Sequence, residues 1–376
     1  MKSKSKPLLV SEMIPYINSV IDFNIRLKAG GTQLSFLESN IPNWLPKFDD
    51  IKIFQESFLA LENDCIVRGA YMLKQQEFSF KGDVESIASY HQPISEGIVN
   101  KKYNSIGIRL IMDGLNRQPL LFALGMGGYD EKITKVLEAL RWKIYSIPFY
   151  FKIVNVQYFL RNITYFRNTK LKRLLLDLIY VTGLGLVSHK FVKFFFKGSR
   201  NNNKNVSYVE VKQFSSWAND LWNRCKNKYD MIAVRDMSTL NILYPSNSNR
   251  FIRLLIKEDD NVIGWAVVLN TKMVNHKQFG NMRLGSIVDC LSLQEHAHTV
   301  IISITEYLEN NGVDLIVSNQ SNDCWCSALK KTGFIKGPSN FILATSKKLS
   351  RLIHTTKINI GNIHLNRGDG DGPINL

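Results

Sequence analysis

Two stretches of the chain repeat each other. "ENDCIVRGAYML" (62–73) and "EDDNVIGWAVVL" (258–269) both leave an acidic or Asn-containing turn and enter an alternating apolar run with one glycine, Gly69 or Gly264. Turn residues followed by Val, Ile and aromatic alternation form the second arm of a β-hairpin. "IKIFQESFLAL" and "RFIRLLIK" supply the first arms. Downstream, "PLLFALGMGGYDEKITKVLEALRWKIYSIPFYFKI" (119–153) matches "DLIVSNQSNDCWCSALKKTGF" (314–334) in order: apolar strand, small or polar residues, helix, aromatic. Gly69 precedes Trp142 by 73 residues and Gly264 precedes Phe334 by 70. Two pieces that keep their spacing, about 195 residues apart, require the same domain to be built twice.

Between the pieces lies a further matched element. "DVESIASYHQPISEGIVNKKYNSIGIRLIMDGLNR" reads as a strand, a polar crossing and a helix opening near Ser105-Ile106-Gly107. "MRLGSIVDCLSLQEHAHTVIISITEYLENNG" reads as a strand to Cys290, a short turn and a helix to Leu308 that Asn-Gly stops. Each half is therefore hairpin, strand, helix, strand, helix, strand. That order gives an α/β fold with a mixed sheet and a parallel central pair joined by a right-handed crossover. The expected organisation is an N-terminal extension (1–44), a first domain (45–155), a basic helical linker (156–206), a second domain (207–350) and a C-terminal tail (351–376).

Composition narrows the function. With 45% hydrophobic and 21% charged residues the chain is globular. The five cysteines have no framework spacing, and "MKSKSKPLLV" lacks a long apolar core and a cleavage site. A reduced, cytoplasmic protein is expected, with peripheral contact at the inner membrane face as an extension of that reading. Cys324-Trp-Cys326 and His296-Ala-His298 lack a second ligand pair at zinc spacing, so no metal site is expected. Of the net +16, nine charges fall between Arg161 and Asn205, where ten Lys or Arg face one acid, Asp177. That stretch is also very apolar ("LLLDLIYVTGLGLV", "FVKFFF") without 18 uninterrupted apolar residues. It reads either as a packed helical linker or as a segment lying on an anionic membrane. No recognition helix or RNA-binding motif accompanies the charge, so nucleic acid is not the expected partner.

The element order, with "VIGWAVV", "RLGSIVDCL" and the Gly-Phe close at 333–334, resembles the Gcn5-related N-acetyltransferase (GNAT) family. The second half carries it best, and "LRW" (140–142) stands in the first half where a GNAT usually has Leu-Gly-Phe. The whole chain also looks like double-GNAT proteins linked to bacterial surface-polysaccharide synthesis. The resemblance implies two tandem GNAT-like domains and an amine acceptor, a small molecule or a glycan, that attacks the thioester of acetyl-CoA or another acyl-CoA. It also implies that the fourth and fifth strands splay so that pantetheine pairs between them. In the second half Ser318 and Asn319 would end the fifth strand at the splay, with Asn322 capping the helix that follows. The pyrophosphate would meet a loop at a helix N-terminus, where free N–H groups face it. In the first half Lys102, Ser105, Ile106, Gly107, Ile108 and Arg109 stand there. The second half has "SLQEHAHTV", without glycine and with Glu295, which favours the first as the cofactor half. Leu137 and Leu329 occupy the positions where many GNATs carry a thiolate-protonating Tyr; Tyr129 is a substitute. Candidate bases are Glu85, His91 and Asp289. Cys290 reads as a core thiol more than a nucleophile. The tail "NRGDGDGPINL" is either a flexible end or a segment folded into the cleft to contribute an Arg or Asp. The resemblance leaves two alternatives to acetyl transfer: a tRNA-dependent aminoacyl transferase of the Fem type, and a double GNAT kept only for binding.

Overall fold

In the computed structural model the described residues are 9–12, 16–36, 45, 47, 51–127, 129, 131–182 and 205–370. In chain order the elements are β1 (Leu9–Glu12), α1 (Ile17–Ala29), β2 (Phe54–Glu62), β3 (Ile66–Phe80), β4 (Asp83–Ser95), α2 (Ile106–Arg117), β5 (Leu121–Leu124), α3 (Lys132–Ala139) and β6 (Lys143–Ser146). There follow β7 (Phe149–Ile153), α4 (Val156–Asn162), α5 (Lys170–Val181), β8 (Val206–Glu210), α6 (Ser216–Cys225), β9 (Met231–Ala233), α7 (Met237–Leu243), β10 (Ile252–Glu258), β11 (Asn261–Lys272) and β12 (Arg283–Ser292). The chain ends with α8 (Ala297–Asn310), β13 (Leu315–Asn319), α9 (Asp323–Lys331), β14 (Ile335–Gly337), β15 (Ile342–Thr345), α10 (Lys347–Thr355) and β16 (Ile363–His364).

Two units form. The first takes the described residues up to Ser146, then Asn340–Lys357 and Asp369 with Gly370; the second takes Ile147–Ser339 and Ile358–Gly368. The first sheet runs β1-β2-β3-β4-β5-β15-β6. The second runs β8-β10-β11-β12-β13-β7-β14, the same order as that seven-strand path of the first. The contiguous boundaries expected at 155 and 350 therefore give way to an exchange. β7 follows the first half in sequence but lies between β13 and β14, and β15 follows the second half but lies between β5 and β6. Short apolar strands are stable in whichever sheet offers two unpaired edges, and strand pattern alone does not say which sheet that is. Part of the expected linker also belongs to a core: Phe159 and Ile163, on and just after α4, pack with Met282, Leu284, Leu315 and Val317 in the second unit. Residues 183–204, the rest of that segment, lie outside the described residues.

The repeat glycines occupy equivalent places. A Cβ on Gly69 would stand 2.7 Å from Ile106 Cγ2 at the start of α2, and one on Gly264 would stand 2.5 Å from Val300 Cγ2 in α8. Both glycines let a helix lie directly on the hairpin. Each is followed across the hairpin by a β-bulge, between Ala60 and Leu61 or between Ile256 and Lys257. The closing turns match as well. Trp142 N donates to Leu137 O and Phe334 N to Leu329 O, each at 3.0 Å, the 6→1 bond of a helix C-cap. Gly333 has φ +86, and Arg141, at the matching place, takes φ +63.

Candidate acyl-CoA site

The parallel central strands part in both units. In the first, β4 and β5 pair only at Ala88–Leu121 and Ser89–Phe122, although β4 continues to Ser95. In the second, β12 and β13 pair from Leu284–Leu315 to Ile287–Ser318, although β12 continues to Ser292. A β-bulge marks each parting strand. Register shifts between His91 and Ile94 in β4, where Gln92 takes φ +48, and between Ile287 and Asp289 in β12. Bulges re-aim backbone groups at such places. The result in each unit is a wedge between strand ends that no longer pair with each other, an opening of the kind an extended segment can enter as a strand.

In the first unit the loop after β4 is held rigidly. Glu96 is buried and takes Arg68 Nη1 at 2.8 Å and Arg26 Nε at 3.2 Å; Arg68 also pairs with Glu62 at 2.7 Å and lies over the Tyr103 ring. Gly97 has no room for a side chain, since a Cβ would fall 2.7 Å from Tyr103 O. Asn100 caps the short turn by accepting from Lys102 N. The loop delivers the chain to the N-terminus of α2, whose first turn holds no acid and whose Ser105 makes no side-chain cap bond. Ile106 is driven into the core, while Lys102, Ser105, Ile108 and Arg109 are exposed and Gly107 is half-buried. The first N–H groups of a helix have no intrahelical acceptor, and together with Lys102 and Arg109 they form an anion-seeking surface.

On the sheet face opposite α2 lies a set of buried polar residues that sequence reading missed apart from His91. Strand pairing places Met72 against His91 and Lys74 against Ser89, with Gln76 two positions further along the same face. Lys74, Gln76, Ser89 and His91 are all buried. Lys74 Nζ donates to Asp369 O at 2.9 Å and Gly370 O at 3.0 Å, and a Cβ on Gly370 would touch the Leu124 side chain at the end of β5. Burial, and then the Lys74 ammonium, lower the His91 pKa to about 3, so its imidazole is neutral at physiological pH. Alternation in "YMLKQQEFSF" assigns Lys74 and Gln76 to one face. It does not reveal that this face is covered.

The other first-unit candidates separate. Glu85 is exposed near the beginning of β4, six residues before His91 and roughly 20 Å along the strand, and does not join the site. Tyr129 is exposed in the turn after β5, at the end of the sheet where the strands part. Leu137 and Leu329 are core residues.

The wedge of the second unit is filled by its own chain. β9 and β16 pair in parallel, Met231 with Ile363 and Ile232 with His364. Tyr229 Oη donates to Ser292 O at the end of β12 and receives Trp325 Nε1 at 3.1 Å. On the other wall Asn366 bridges to Gln320 just after β13, and Ser321 N donates to Leu365 O. Asp289, read from sequence as a base, accepts from Arg235 Nε (3.0 Å), Tyr244 Oη (2.9 Å), Asn366 Nδ2 (2.7 Å) and Cys290 N (2.9 Å). A carboxylate so engaged and 1% exposed is a structural hub with no lone pair to spare for a substrate. Asn322 caps α9 by accepting from Cys324 N and Trp325 N, and its amide donates to Asn362. Ser318 and Asn319 are buried, and Asn319 is paired to Phe149 of β7. Cys290 is buried beside Gln320 Nε2. The tail is not a loose end through Gly370: Asn366 Nδ2 donates to Asp289, and the Asp369 and Gly370 carbonyls accept from Lys74. Residues 371–376 lie outside the described residues. Among the described residues no group of three or more His, Cys, Asp or Glu is arranged to hold a metal, and no helix is long and apolar enough to cross a membrane.

No family profile and no curated protein matches the sequence. The fold does have relatives among solved structures. N-myristoyltransferase of Saccharomyces cerevisiae with bound myristoyl-CoA aligns with a TM-score of 0.50 at 10% identity over 92% of this chain and 80% of that one. A tandem GNAT protein from the clavulanic acid biosynthesis pathway aligns with a TM-score of 0.50 at 11% identity over 90% of this chain and 98% of that one. Two sheets of matching strand order, each parting at its central pair, make the chain a tandem of two GNAT-type folds.

Proposed function

We infer that the protein is an acyl-CoA-dependent N-acyltransferase whose first unit binds the cofactor. The observation that carries this reading is the difference between the wedges. In the first unit the parted strands lead to an acid-free, cation-flanked helix N-terminus. In the second they enclose β16 and Tyr229. Pantetheine would pair along β4 beyond Ser89, and the pyrophosphate would lie at Ser105–Arg109. The acceptor amine attacks the thioester carbonyl carbon, the C–S bond breaks, and the CoA thiolate leaves and takes up a proton. The amine gives one proton to solvent, and Tyr129 is the candidate donor to the thiolate; His91, with a pKa lowered to about 3, is too weak a base to take that proton at neutral pH. Acetyl is the acyl group to test first, and an amino sugar of a surface-glycan precursor the first acceptor.

Isothermal titration with acetyl-CoA tests the assignment. Gly107→Trp puts a large side chain at the start of α2, where a Cβ meets nothing closer than Ser95 Oγ at 3.8 Å, and an unchanged unfolding midpoint checks that the variant keeps its fold. Binding by the parent chain and its loss in Gly107→Trp is the expected result. Binding that persists in that variant overturns the first-unit site. Absence of binding by the parent at micromolar protein overturns acetyl-CoA as the donor. The net charge of +16 then favours aminoacyl-tRNA as donor, as in Fem-type transferases.

A further inference from the structure

Helix α5 carries an apolar stripe that stands exposed among the described residues of its unit. Leu171, Leu174, Leu175, Leu178 and Val181 are 77%, 68%, 55%, 58% and 79% exposed. Their spacing at i, i+3, i+4, i+7 and i+10 puts them on one side of the helix. The other side is tied down. Arg161 lies over the Tyr180 ring, Arg167 Nη2 pairs with Asp177 at 2.7 Å, Arg173 Nε donates to Arg167 O, and Leu176 and Ile179 are half-buried. The stripe is therefore a presented surface and not a frayed end. At about 100° per residue, Lys170 and Lys172 fall at its two edges.

We propose that α5 docks the protein on the surface of an anionic lipid bilayer, with the leucine stripe sunk to the acyl boundary and Lys170 and Lys172 reaching back to the phosphates. Three observations choose lipid over a protein partner. Lysines bordering an apolar stripe suit a headgroup layer, where their stems lie along apolar surface and their charges stay wet; protein interfaces are depleted of lysine. The described residues 161–182 carry five Lys or Arg against one acid, Asp177, a net of +4 that is complementary to an anionic surface. Tyr165 and Phe166 stand exposed just before the helix, the residue types that settle at a membrane–water boundary. Docking is peripheral and is independent of the acyl-transfer reading.

Sedimentation of the full chain with vesicles tests it. Vesicles of phosphatidylcholine with phosphatidylglycerol should capture the protein, phosphatidylcholine alone should not, and capture should weaken with salt. The double variant Leu174→Gln/Leu178→Gln should lower the captured fraction about tenfold or more, with an unchanged unfolding midpoint because both side chains are exposed. No capture by anionic vesicles, or equal capture of the variant, overturns the proposal. A fluorophore on Leu178→Cys, in a Cys65→Ser background that removes the exposed native thiol, separates the remaining case. Emission that shifts to the blue only when anionic vesicles are added supports docking. Emission already blue without vesicles means that the stripe is covered by the chain itself or by a second copy, and overturns it.

Discussion

The two units share a strand order, a hairpin glycine under a helix, a bulged and parted central strand and the same helix-closing turn. They differ in what fills the parting. In the second unit the wedge holds a parallel strand pair, a Tyr–Trp hydrogen bond and a carboxylate with four donors. In the first unit β4 runs on past its last pairing partner on β5, toward an electropositive helix end. A repeated fold can thus keep its architecture while one copy closes the parting with its own chain. Backbone geometry is set by the strand and helix order that both copies retain. Occupancy is set by a few side chains and by where a short tail is threaded.

The comparison can be broken by variants in each unit. Gly107→Trp should remove acyl-CoA binding altogether, whereas Asn319→Ala, on the wall of the filled wedge, should leave it unchanged; titration calorimetry reads both. Asp289→Ala strips the buried Arg235 of its carboxylate and should cost about 3–5 kcal/mol in denaturant unfolding. Equal sensitivity of acyl-CoA affinity to that change would mean that the second unit binds cofactor after all. Gly69→Ala and Gly264→Ala should each cost about 1–3 kcal/mol by pushing a helix off its hairpin. Only the first should also weaken acyl-CoA binding, because Ile106 opens α2.

Acid should reach both units. Burial, with Lys74, lowers the His91 pKa to about 3, and burial, with Arg235, pushes His364 well below its usual range. The unfolded chain takes up these protons below about pH 6.5 while the folded one refuses them. Stability is therefore complete above that pH and falls as pH drops toward 3, by about 1.4 kcal/mol per unit for each histidine. His91→Gln should flatten the slope of a pH series of unfolding curves; an unchanged slope would place His91 in a more solvated setting than the buried face of β4. The smallest effect is a gain. Arg141→Gly should stabilise by about 0.5–1 kcal/mol, because the left-handed φ that Gly333 adopts freely is costly for arginine. The unfolding midpoint checks it.

Much of this was legible in the sequence. The repeated glycines, the hairpins, the capped helix after Asn322 and the Gly-Phe close follow from local rules of turns, caps and alternation, and all appear where the spacing puts them. Two things were not legible. The assignment of β7 and β15 to sheets is a long-range choice, and nothing in "FYFKI" or "ILAT" encodes its partner. The fate of Asp289 depended on Arg235, Tyr244 and Asn366, which converge only in the folded chain. A carboxylate on a parting strand looks the same in sequence whether its neighbours leave it open or enclose it.

The exchanged strands also bear on how the protein is made. β5 and β6 meet only through β15, so the first sheet waits about two hundred residues for its missing strand. At ~5–20 residues per second, translation leaves the apolar edge of β5 unmatched for tens of seconds. A stalled or truncated product would expose that edge permanently. Successful synthesis depends on whatever shields a half-built sheet while its last piece is still on the ribosome.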